Sequence, residues 1–537
     1  MRGVQLWNWA VVACAEIITA LAGWQHRWIS DDGLIAMRTV RQLLAGNGPV
    51  FNVGERVEAN TSTLWTYLVT AVAWVFGSPA EVAMLLGLVC SVAAIALAVA
   101  GAVQLHGTAR LCLPAGVIVI LALPPFWEFT TSALETGLEF LWIGLSWWLL
   151  VRVAYEGTVL PAVFVFGLAP LIRPELTVVA VVFAGTLLLT RRPGWREALK
   201  WAAVALALPV AYEIFRMGYY GLLVPNPALA KEASGSRWAR GLLYAGDTVR
   251  TYYLSIPLLA LFPLAFAVAR RRREAVLTVA PMVAGLLLLV YVLRVGGDFM
   301  HARMMLPVIL LFLLPVLVLP WDALTACACG VVLVWGVFCA AQLRVPYTEQ
   351  IGPDGIADER GYYVAYTHDP YPDSVDKFLR AKGDVSGITR STGLFVLGSG
   401  PVPLRTDQPA HVAVAEGMLG GAGAAFPLDD LVIDRLGLSN ALGGHMELGC
   451  NQRVGHEKPL PDTYILADYM APGTRLQDTR LQSEVDRIRG ELATDRFHDL
   501  FAATRAPMTL GRFWANILGA PERTSFRFPV PNVSCPL

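Results

Sequence analysis

Long apolar segments alternate with short polar ones over the first 341 residues of the chain. A helix needs about 20 apolar residues to cross the hydrocarbon core of a bilayer, and this length predicts eleven spans. They lie at residues 8–28, 80–104, 111–126, 136–152, 158–172, 174–190, 198–216, 252–270, 275–293, 303–319 and 322–341. The pattern predicts an α-helical polytopic membrane protein with about eleven transmembrane helices.

Two apolar regions depart from this pattern. The run Leu64–Gly77 is too short to cross, and Trp65, Tyr67 and Trp74 suit the depth of the lipid headgroups. It is therefore predicted to be an interfacial helix. Arg173-Pro174-Glu175 interrupts the apolar region 158–190, and its charges must face protein, water or the membrane surface.

From Gln342 onward, tyrosine, aspartate, proline and glycine become frequent. Short apolar runs predict strands, an alternation of opposite charges predicts a helix, and a glycine-rich piece predicts a loop. These elements are the strands Leu394–Leu397 and Tyr464–Ala467, the helix Arg480–Leu492 and the loop Gly417–Gly423. We expect a transmembrane domain at 1–341, with a first loop at 31–79, followed by a mixed α/β domain at 342–537.

Clusters of basic residues set the orientation of the predicted spans. Arg191 to Lys200 and Arg270 to Arg273 are basic loops, and such loops remain cytoplasmic. Counting spans outward from these basic loops predicts that the opposite ends of the spans face away from the cytoplasm. The extracytoplasmic parts would be the loop with Asp31 and Asp32, the loops 217–251 and 294–302, and the whole C-terminal domain.

Composition agrees with a membrane protein, because 55% of the residues are hydrophobic and only 16% are charged. The net charge is zero, so no basic excess argues for nucleic-acid binding. Only Cys450 and Cys535 fall in the C-terminal domain. A disulfide between them is expected if that domain faces an oxidising compartment, and two free thiols are the alternative.

The acidic pair Asp31 and Asp32 directly follows the first apolar segment and is the strongest candidate for chemistry. A carboxylate there could act as a general base, as a nucleophile or as the partner of a sugar cation. Alternatively, the pair caps the helix predicted over Leu34–Leu44. One aspartate is enough for a cap, so we expect one structural and one catalytic residue, without assigning which is which.

Polar residues at other span ends are candidates for substrate contacts. In the first loop, a solvated charged face is expected for most of the polar residues, and Glu58 and Asn60 are the best candidates among them to bind sugar. The set is Arg38, Arg41, Glu55, Arg56, Glu58 and Asn60. Glu135 and Glu139 share a helix face. Glu135 could bind sugar hydroxyls or pair with an arginine, and the two interpretations are equally weighted; Arg173 is a further substrate-binding candidate.

Two extracytoplasmic loops carry candidate ligands for a phosphate. Lys231 could bind phosphate or lipid headgroups, and Asn226 of the same loop is a candidate for substrate binding. Between two apolar spans lie Arg294, Asp298, His301 and Arg303, which are costly there unless paired or functional. His301 could equally be a hydrogen-bonded structural residue, and Asp298 with Arg303 a simple ion pair.

The chain has no HExxH motif, no P-loop and no trusted Ser-His-Asp order, so no metal site and no cofactor are predicted. A divalent cation at the acidic pair remains open, because hard cations prefer oxygen ligands.

Several stretches together resemble one family. These are DDGLIAMRTVRQLLAGNGPVFNVGERVEANTSTLWTYL after the first span, SALETGLEF, LIRPE, PNPALAKEA and RVGGDFMHARMMLPV. They resemble the GT-C superfamily of polyprenyl-phosphate-sugar glycosyltransferases and, within it, the mycobacterial terminal β-(1→2)-arabinofuranosyltransferases. The resemblance covers most of the membrane part and, more weakly, the C-terminal domain.

The resemblance implies a GT-C helical bundle with an extracytoplasmic C-terminal domain in a bacterial plasma membrane. It implies a decaprenyl-phosphoryl-arabinofuranose donor and an acceptor at the non-reducing ends of arabinan, in arabinogalactan or lipoarabinomannan. The family's acidic pair maps onto Asp31 and Asp32. From their charge, we expect Lys231, Arg294 and Arg303, with His301, to lie nearest the lipid phosphate.

The implied donor and product are both β-linked, which requires net retention. Retention needs either a carboxylate nucleophile with a second acid/base group or front-face attack, and the acidic pair is compatible with both.

Three rival functions remain. The protein could transfer another polyprenyl-phosphate sugar, it could transport or flip a solute, or it could be a membrane-anchored binding protein. A transporter would show inverted repeats and charges at mid-bilayer, which the sequence lacks.

Overall fold

The computed structural model describes residues 2–155, 157–269, 271–383, 386–389, 392–396, 401–407, 409–448 and 454–530. The disulfide predicted between Cys450 and Cys535 falls outside these residues, as does Leu397 at the end of a predicted strand.

Helices α1 to α17, with one short antiparallel ladder, form the membrane part. They are α1 Arg2–Gln25, α2 Asp31–Leu44, α3 Thr63–Phe76, α4 Pro79–His106, α5 Ala115–Ala122, α6 Pro124–Phe129, α7 Thr136–Tyr155, α8 Leu160–Gly167, α9 Ala169–Ile172, α10 Leu176–Arg191, α11 Trp195–Tyr220, α12 Asn226–Ala230, α13 Trp238–Thr251, α14 Ser255–Val268, α15 Arg272–Val295, α16 Met305–Leu313 and α17 Ala323–Gln342. The ladder pairs β1 Cys112–Leu113 with β2 Leu319–Pro320.

Six helices within the described residues are long and apolar enough to cross a membrane: α1, α4, α7, α11, α15 and α17. The pair α13 and α14, bent by 92°, could make a seventh span. The predicted count of eleven is therefore not confirmed. The predicted span 111–126 is divided into α5 and α6 because Pro124 starts α6, and the predicted span 158–172 is divided into α8 and α9 at Leu168. The interruption predicted at Arg173 lies between α9 and α10.

Small residues let α4 and α7 pack closely. A Cβ on Gly137 would collide with the backbone of Gly87, and one on Gly144 with the backbone of Ala94. Gly137 and Gly144 are seven residues apart in α7, as are Gly87 and Ala94 in α4, so the close contact repeats along one face of each helix. This contact fixes the start of α7, where Glu135 and Glu139 lie.

The C-terminal part combines helices with a three-stranded parallel sheet of order β3-β4-β5. Its elements are α18 Glu359–Thr367, α19 Val375–Lys382, α20 Ser386–Thr389, β3 Gly393–Phe395, β4 Val412–Glu416, α21 Leu419–Ala425, β5 Leu431–Asp434, α22 Ala441–His445, α23 Asp462–Tyr469, α24 Thr479–Leu492, α25 Asp495–Arg505 and α26 Leu510–Ser525.

Two local predictions for this part are wrong. The apolar run Tyr464–Ala467 lies in helix α23 rather than in a strand, because a short apolar run does not distinguish the two. The glycine-rich piece Gly417–Gly423 enters helix α21 rather than forming a loop throughout. The strand at Leu394 and the helix Arg480–Leu492 are present as β3 and α24.

The membrane and C-terminal parts interlock. Ile356, Tyr363 and Phe378 belong to the same apolar cluster as the long helices, whereas Val57 of the first loop packs in the cluster of the C-terminal sheet. The division predicted at residues 341 and 342 thus remains a prediction, with extensive contacts across it.

Arg38 of α2 shows how tight this junction is. Its guanidinium is buried and donates to the carbonyl oxygens of Phe51, Gly423 and Asp430, at 2.8–3.0 Å. The solvated face expected for Arg38 is wrong, and Glu55 is likewise buried against Arg505 at 2.9 Å. Helix α2, which carries the acidic pair, is therefore held by the C-terminal part.

Candidate active site

The acidic pair does not cap α2. The cap is Ser30, whose hydroxyl oxygen accepts from the amide of Gly33 at 3.0 Å and donates to the carbonyl of Ser132 at 2.9 Å. Asp31 and Asp32 occupy the first turn, where the positive end of the helix dipole favours carboxylates. Both side chains are therefore available for other interactions.

Asp31 joins α2 to the start of α21. Its buried carboxylate accepts from the amides of Gly420 at 3.0 Å and Gly421 at 2.7 Å. A side chain at Gly420 would collide with the Asp31 carbonyl oxygen, so glycine is required there. Burial raises the pKa of Asp31 to about 7, although the two amides favour the ionised form. These contacts give Asp31 a structural role.

Asp32 is the more accessible member of the pair, with 22% of its side chain exposed. It lines a large cavity of about 870 Å³ and a smaller neighbouring one of about 310 Å³. Lys231, Ile35 and Leu438 also line both, so the two cavities meet at these residues. A carboxylate and an ammonium group thus stand where the cavities join.

The large cavity is walled by apolar side chains from both parts of the chain. Members of its lining are Ile35, Ala36, Trp65, Leu134, Leu223, Val224, Leu229, Tyr291, Val295, Met304, Leu438 and Val454. Its volume falls at the upper end of the roughly 300–1,000 Å³ typical of small-molecule sites. The lining suits a long apolar ligand with a polar end.

Arginine–carboxylate clusters form the polar wall of the large cavity. Arg303 is buried and lies 3.4 Å from Asp298, 3.7 Å from Glu135 and 3.9 Å from Asp32. Burial opposes the charge on Arg303, but these carboxylates outweigh it and raise its pKa. Asp298 also accepts from the amide of Phe299 at 2.9 Å.

Arg173 forms a second cluster beside the first. It lies 2.6 Å from Glu135, 3.3 Å from Glu139 and 2.5 Å from Glu175. Burial would raise the pKa of Glu135, yet Arg173 and Arg303 hold it below its usual value. Of the two interpretations of Glu135, pairing with arginine is therefore observed. Both Glu135 and Arg173 also line the cavity, so their contact with sugar remains a prediction.

Lys231 differs from these arginines. Within the described residues no carboxylate lies at ion-pair distance from its ammonium group, which sits 5.9 Å from the centre of the Phe299 ring. The next residue, Glu232, lies 2.5 Å from the buried Lys458, and this ion pair anchors the backbone beside Lys231. Lys231 is thus a cation available for an anionic ligand.

Four predicted ligands do not line either cavity. Arg294 donates to the carbonyl of Ser234 at 3.0 Å, and Glu58 binds Arg216 and Tyr212, each at 2.7 Å. Asn226 donates to the carbonyl of Gly437 at 2.7 Å and holds α12 against the C-terminal part.

The fourth is His301, whose Nδ1 lies 2.6 Å from Asp247 and whose Nε2 lies 3.1 Å from the hydroxyl of Tyr252. The structural alternative for this histidine therefore accounts for its contacts. Asn60, by contrast, lines the large cavity as the sequence suggested.

Some site residues escaped the sequence analysis. The smaller cavity is lined by Tyr362, Tyr363, Glu359 and His456, and Arg527 reaches the large one. The tyrosine pair in GYYVAY, near the start of the C-terminal part, was the available signal. Within the described residues no group of three or more His, Cys, Asp or Glu side chains is arranged to hold a metal ion. A divalent cation at the acidic pair stays a prediction.

Comparison with known proteins identifies close relatives. A family model described as "AftB family C-terminal domain" matches residues 403–522. A terminal β-(1→2)-arabinofuranosyltransferase of Mycobacterium tuberculosis is 34% identical over 97% of this chain and 95% of its own. One of Corynebacterium glutamicum is 34% identical over 94% of this chain and 83% of its own. No solved structure matches.

Proposed function

This chain belongs to the family of terminal β-(1→2)-arabinofuranosyltransferases, and from that premise we propose how its two cavities divide the reaction. The protein is a membrane-embedded glycosyltransferase that transfers arabinofuranose to a cell-wall arabinan. The observation that carries the proposal is the position of Asp32 and Lys231 at the junction of the cavities.

The large cavity takes the donor, a polyprenyl-phosphate arabinofuranose such as decaprenyl-phosphoryl-arabinose. Its apolar walls suit prenyl units, which gain free energy by leaving water, at about 25 cal/mol per Å² of buried apolar surface. A water-soluble nucleotide donor would leave this surface without a partner.

Lys231 binds the donor phosphate. Arg303 is a weaker choice because Asp32, Asp298 and Glu135 already surround it, and they would repel a second anion. An ammonium group with no carboxylate partner among the described residues accepts a phosphate without first breaking an ion pair.

The smaller cavity takes the end of the acceptor arabinan, in arabinogalactan or lipoarabinomannan. Tyr362 and His456 provide flat faces and hydrogen-bonding groups for a furanose ring, and Glu359 provides a carboxylate. An acceptor hydroxyl entering from this side meets the donor sugar at Asp32.

In the reaction, the bond between the anomeric carbon and the phosphate oxygen breaks, and the phosphate leaves with its charge held by Lys231. The bond between the anomeric carbon and the acceptor oxygen forms, and the hydroxyl proton passes to the departing phosphate or to a second acidic group acting as base. If donor and product are both β-linked, a single inverting displacement is excluded. In the route through a covalent intermediate, Asp32 attacks the anomeric carbon as nucleophile, and the bond that it forms breaks when the acceptor oxygen attacks; in front-face attack, Asp32 stabilises the positive charge on the sugar.

The site faces the periplasm of a bacterial plasma membrane. Helix α10 runs from the cavity at Arg173 to the basic residues after Leu188, and α15 runs from the basic residues at Arg272 back to the cavity at Val295. The cavity thus lies at the helix ends opposite the basic loops, which are expected in the cytoplasm.

The test is a donor comparison with the purified protein in detergent and a synthetic arabinofuranose oligomer as acceptor. We expect transfer from polyprenyl-phosphate arabinofuranose, with a new β-(1→2) linkage by NMR, and none from a nucleotide-linked arabinose. Equal rates from polyprenyl-phosphate mannose, or transfer from the nucleotide sugar, would refute the donor assignment.

A further inference from the structure

Helix α26 of the C-terminal part exposes an unusual apolar stripe. Leu510, Trp514 and Leu518 are spaced four residues apart, so they share one face of the helix. Their exposed fractions are 76%, 57% and 82%, which are high for such large apolar side chains. Met508, in the turn before the helix, extends the same exposed patch.

Charged residues are nearly absent from this surface. From Pro507 to Pro521 the only charged residue is Arg512, which is half-buried. Contiguous exposed apolar patches on soluble domains mark sites of contact with a protein or a membrane. The stripe therefore needs a cover that the chain itself does not supply among the described residues.

The position of α26 indicates what that cover is. Its Asn516 side chain donates to the carbonyl of Gly218 at 3.0 Å, and the ring of Phe513 fills the space where Gly218 has no side chain. Gly218 lies in the last turn of α11, a candidate span whose apolar residues are mostly not covered by the rest of the chain and are therefore available to lipid. The charged residues Glu213 and Arg216 just before it mark the end of the apolar part. Helix α26 consequently crosses α11 at the level of the membrane surface.

The other end of the same helix belongs to the site. Pro521, Thr524 and Ser525 line the large cavity, and Arg527 follows them. One helix thus combines an exposed apolar stripe with part of the cavity wall.

We propose that α26 is an interfacial helix whose stripe of Leu510, Trp514 and Leu518 is covered by phospholipid acyl chains. The stripe continues the lipid-facing surface of α11, and tryptophan is well suited to this depth. The contact holds the C-terminal wall of the large cavity at the bilayer surface. This last consequence rests on the proposed function, whereas the lipid contact itself does not.

Photo-crosslinking in the full-length protein tests the contact. Benzoylphenylalanine replaces Leu518, and the protein is placed in nanodiscs of phosphatidylethanolamine and phosphatidylglycerol, irradiated and analysed by intact-mass spectrometry. The control position is Arg487 of α24, whose side chain is 53% exposed on another surface. Both probes sit on exposed positions, and a thermal melt confirms that each variant is folded.

We expect adducts with the mass of one phospholipid at position 518 and at least tenfold fewer at position 487. A covalent dimer at 518 in place of lipid adducts would assign the stripe to a second copy of the chain and overturn the proposal. Equal lipid labelling at both positions, or none at 518, would overturn it as well. The readout does not depend on activity, so it stands apart from any failure of the donor assignment.

Discussion

The ammonium of Lys458 lies 2.5 Å from the carboxylate of Glu232, the residue that follows Lys231. Lys458 is fully buried and also donates to the carbonyl of Leu229 at 2.9 Å, while Arg527 binds Glu232 at 2.6 Å. Glu232 itself is held at a left-handed φ of 44°. Two cations of the C-terminal part thus fix the backbone that presents Lys231 to the cavities.

Lys458→Met is predicted to reduce both stability and donor use. Removing one partner of a buried ion pair costs about 3–5 kcal/mol when the other charge is left alone, and less here because Arg527 remains. We expect a lower melting temperature and a raised KM for the donor. The double variant Lys458→Met, Glu232→Gln also takes from Arg527 its carboxylate partner, so its melting temperature should fall further; a melting temperature above that of Lys458→Met would show that Glu232 does not hold the two cations together.

Lys231→Met is predicted to raise the donor KM at least tenfold with little change in melting temperature. Lys231 has no carboxylate partner among the described residues, so its loss leaves no buried charge unpaired. The matched control is Arg294→Met, because Arg294 lines neither cavity. If Arg294→Met harmed donor binding as much as Lys231→Met did, the choice of Lys231 for the phosphate would be wrong.

Tyr362→Ala and Tyr291→Ala are predicted to affect different substrates. Tyr362 lines only the smaller cavity and Tyr291 only the larger one. The first variant should raise the KM for an arabinan acceptor several-fold, and the second the KM for the donor. Initial rates with one substrate varied at a time measure both constants, and an equal rise in both constants in each variant would contradict the division into two sites.

Asp31 gives a prediction for pH. Burial raises its pKa in the folded protein to about 7, against 3.8 for an ordinary aspartate. Between these values the folded state binds more protons than the unfolded state, so the stability that Asp31 contributes falls as the pH rises from about 4 to about 7. Asp31→Asn cannot titrate. The melting temperature of Asp31→Asn minus that of the parent protein should therefore be larger at pH 8 than at pH 5. An equal difference at the two pH values would argue against the raised pKa.

The sequence predicted the regular features of this protein well, because hydropathy over about 20 residues identifies spans such as α4 and α15. It overcounted spans where apolar regions divide into short helices, as at Pro124 between α5 and α6 and at Leu168 between α8 and α9. Charge and position at span ends pointed to Asp31 and Asp32 as a pair, to Lys231 and to Arg303. Of these, Asp32, Lys231 and Arg303 line the large cavity.

Other parts of the site depend on contacts that no local pattern encodes. Arg294 and His301 are as polar as Arg303 and lie within ten residues of it along the chain, yet their side chains contact Ser234 and Asp247. The roles of Gly420 and Gly421 follow from their approach to Asp31, almost 400 residues earlier in the chain. Such pairs become visible only once the C-terminal part is packed on α2.

The assignment of Asp32 as the catalytic carboxylate is tested most directly by comparing Asp32→Asn with Asp31→Asn. Both variants replace one carboxylate in the same helical turn, and turnover of polyprenyl-phosphate arabinofuranose is measured alongside donor binding and melting temperature. We predict that Asp32→Asn loses at least about a thousandfold in kcat while it still binds donor and melts normally, because the lost group acts on the reacting atoms. Asp31→Asn should keep measurable turnover. Near-normal turnover in Asp32→Asn, or full loss only in Asp31→Asn, would contradict the account.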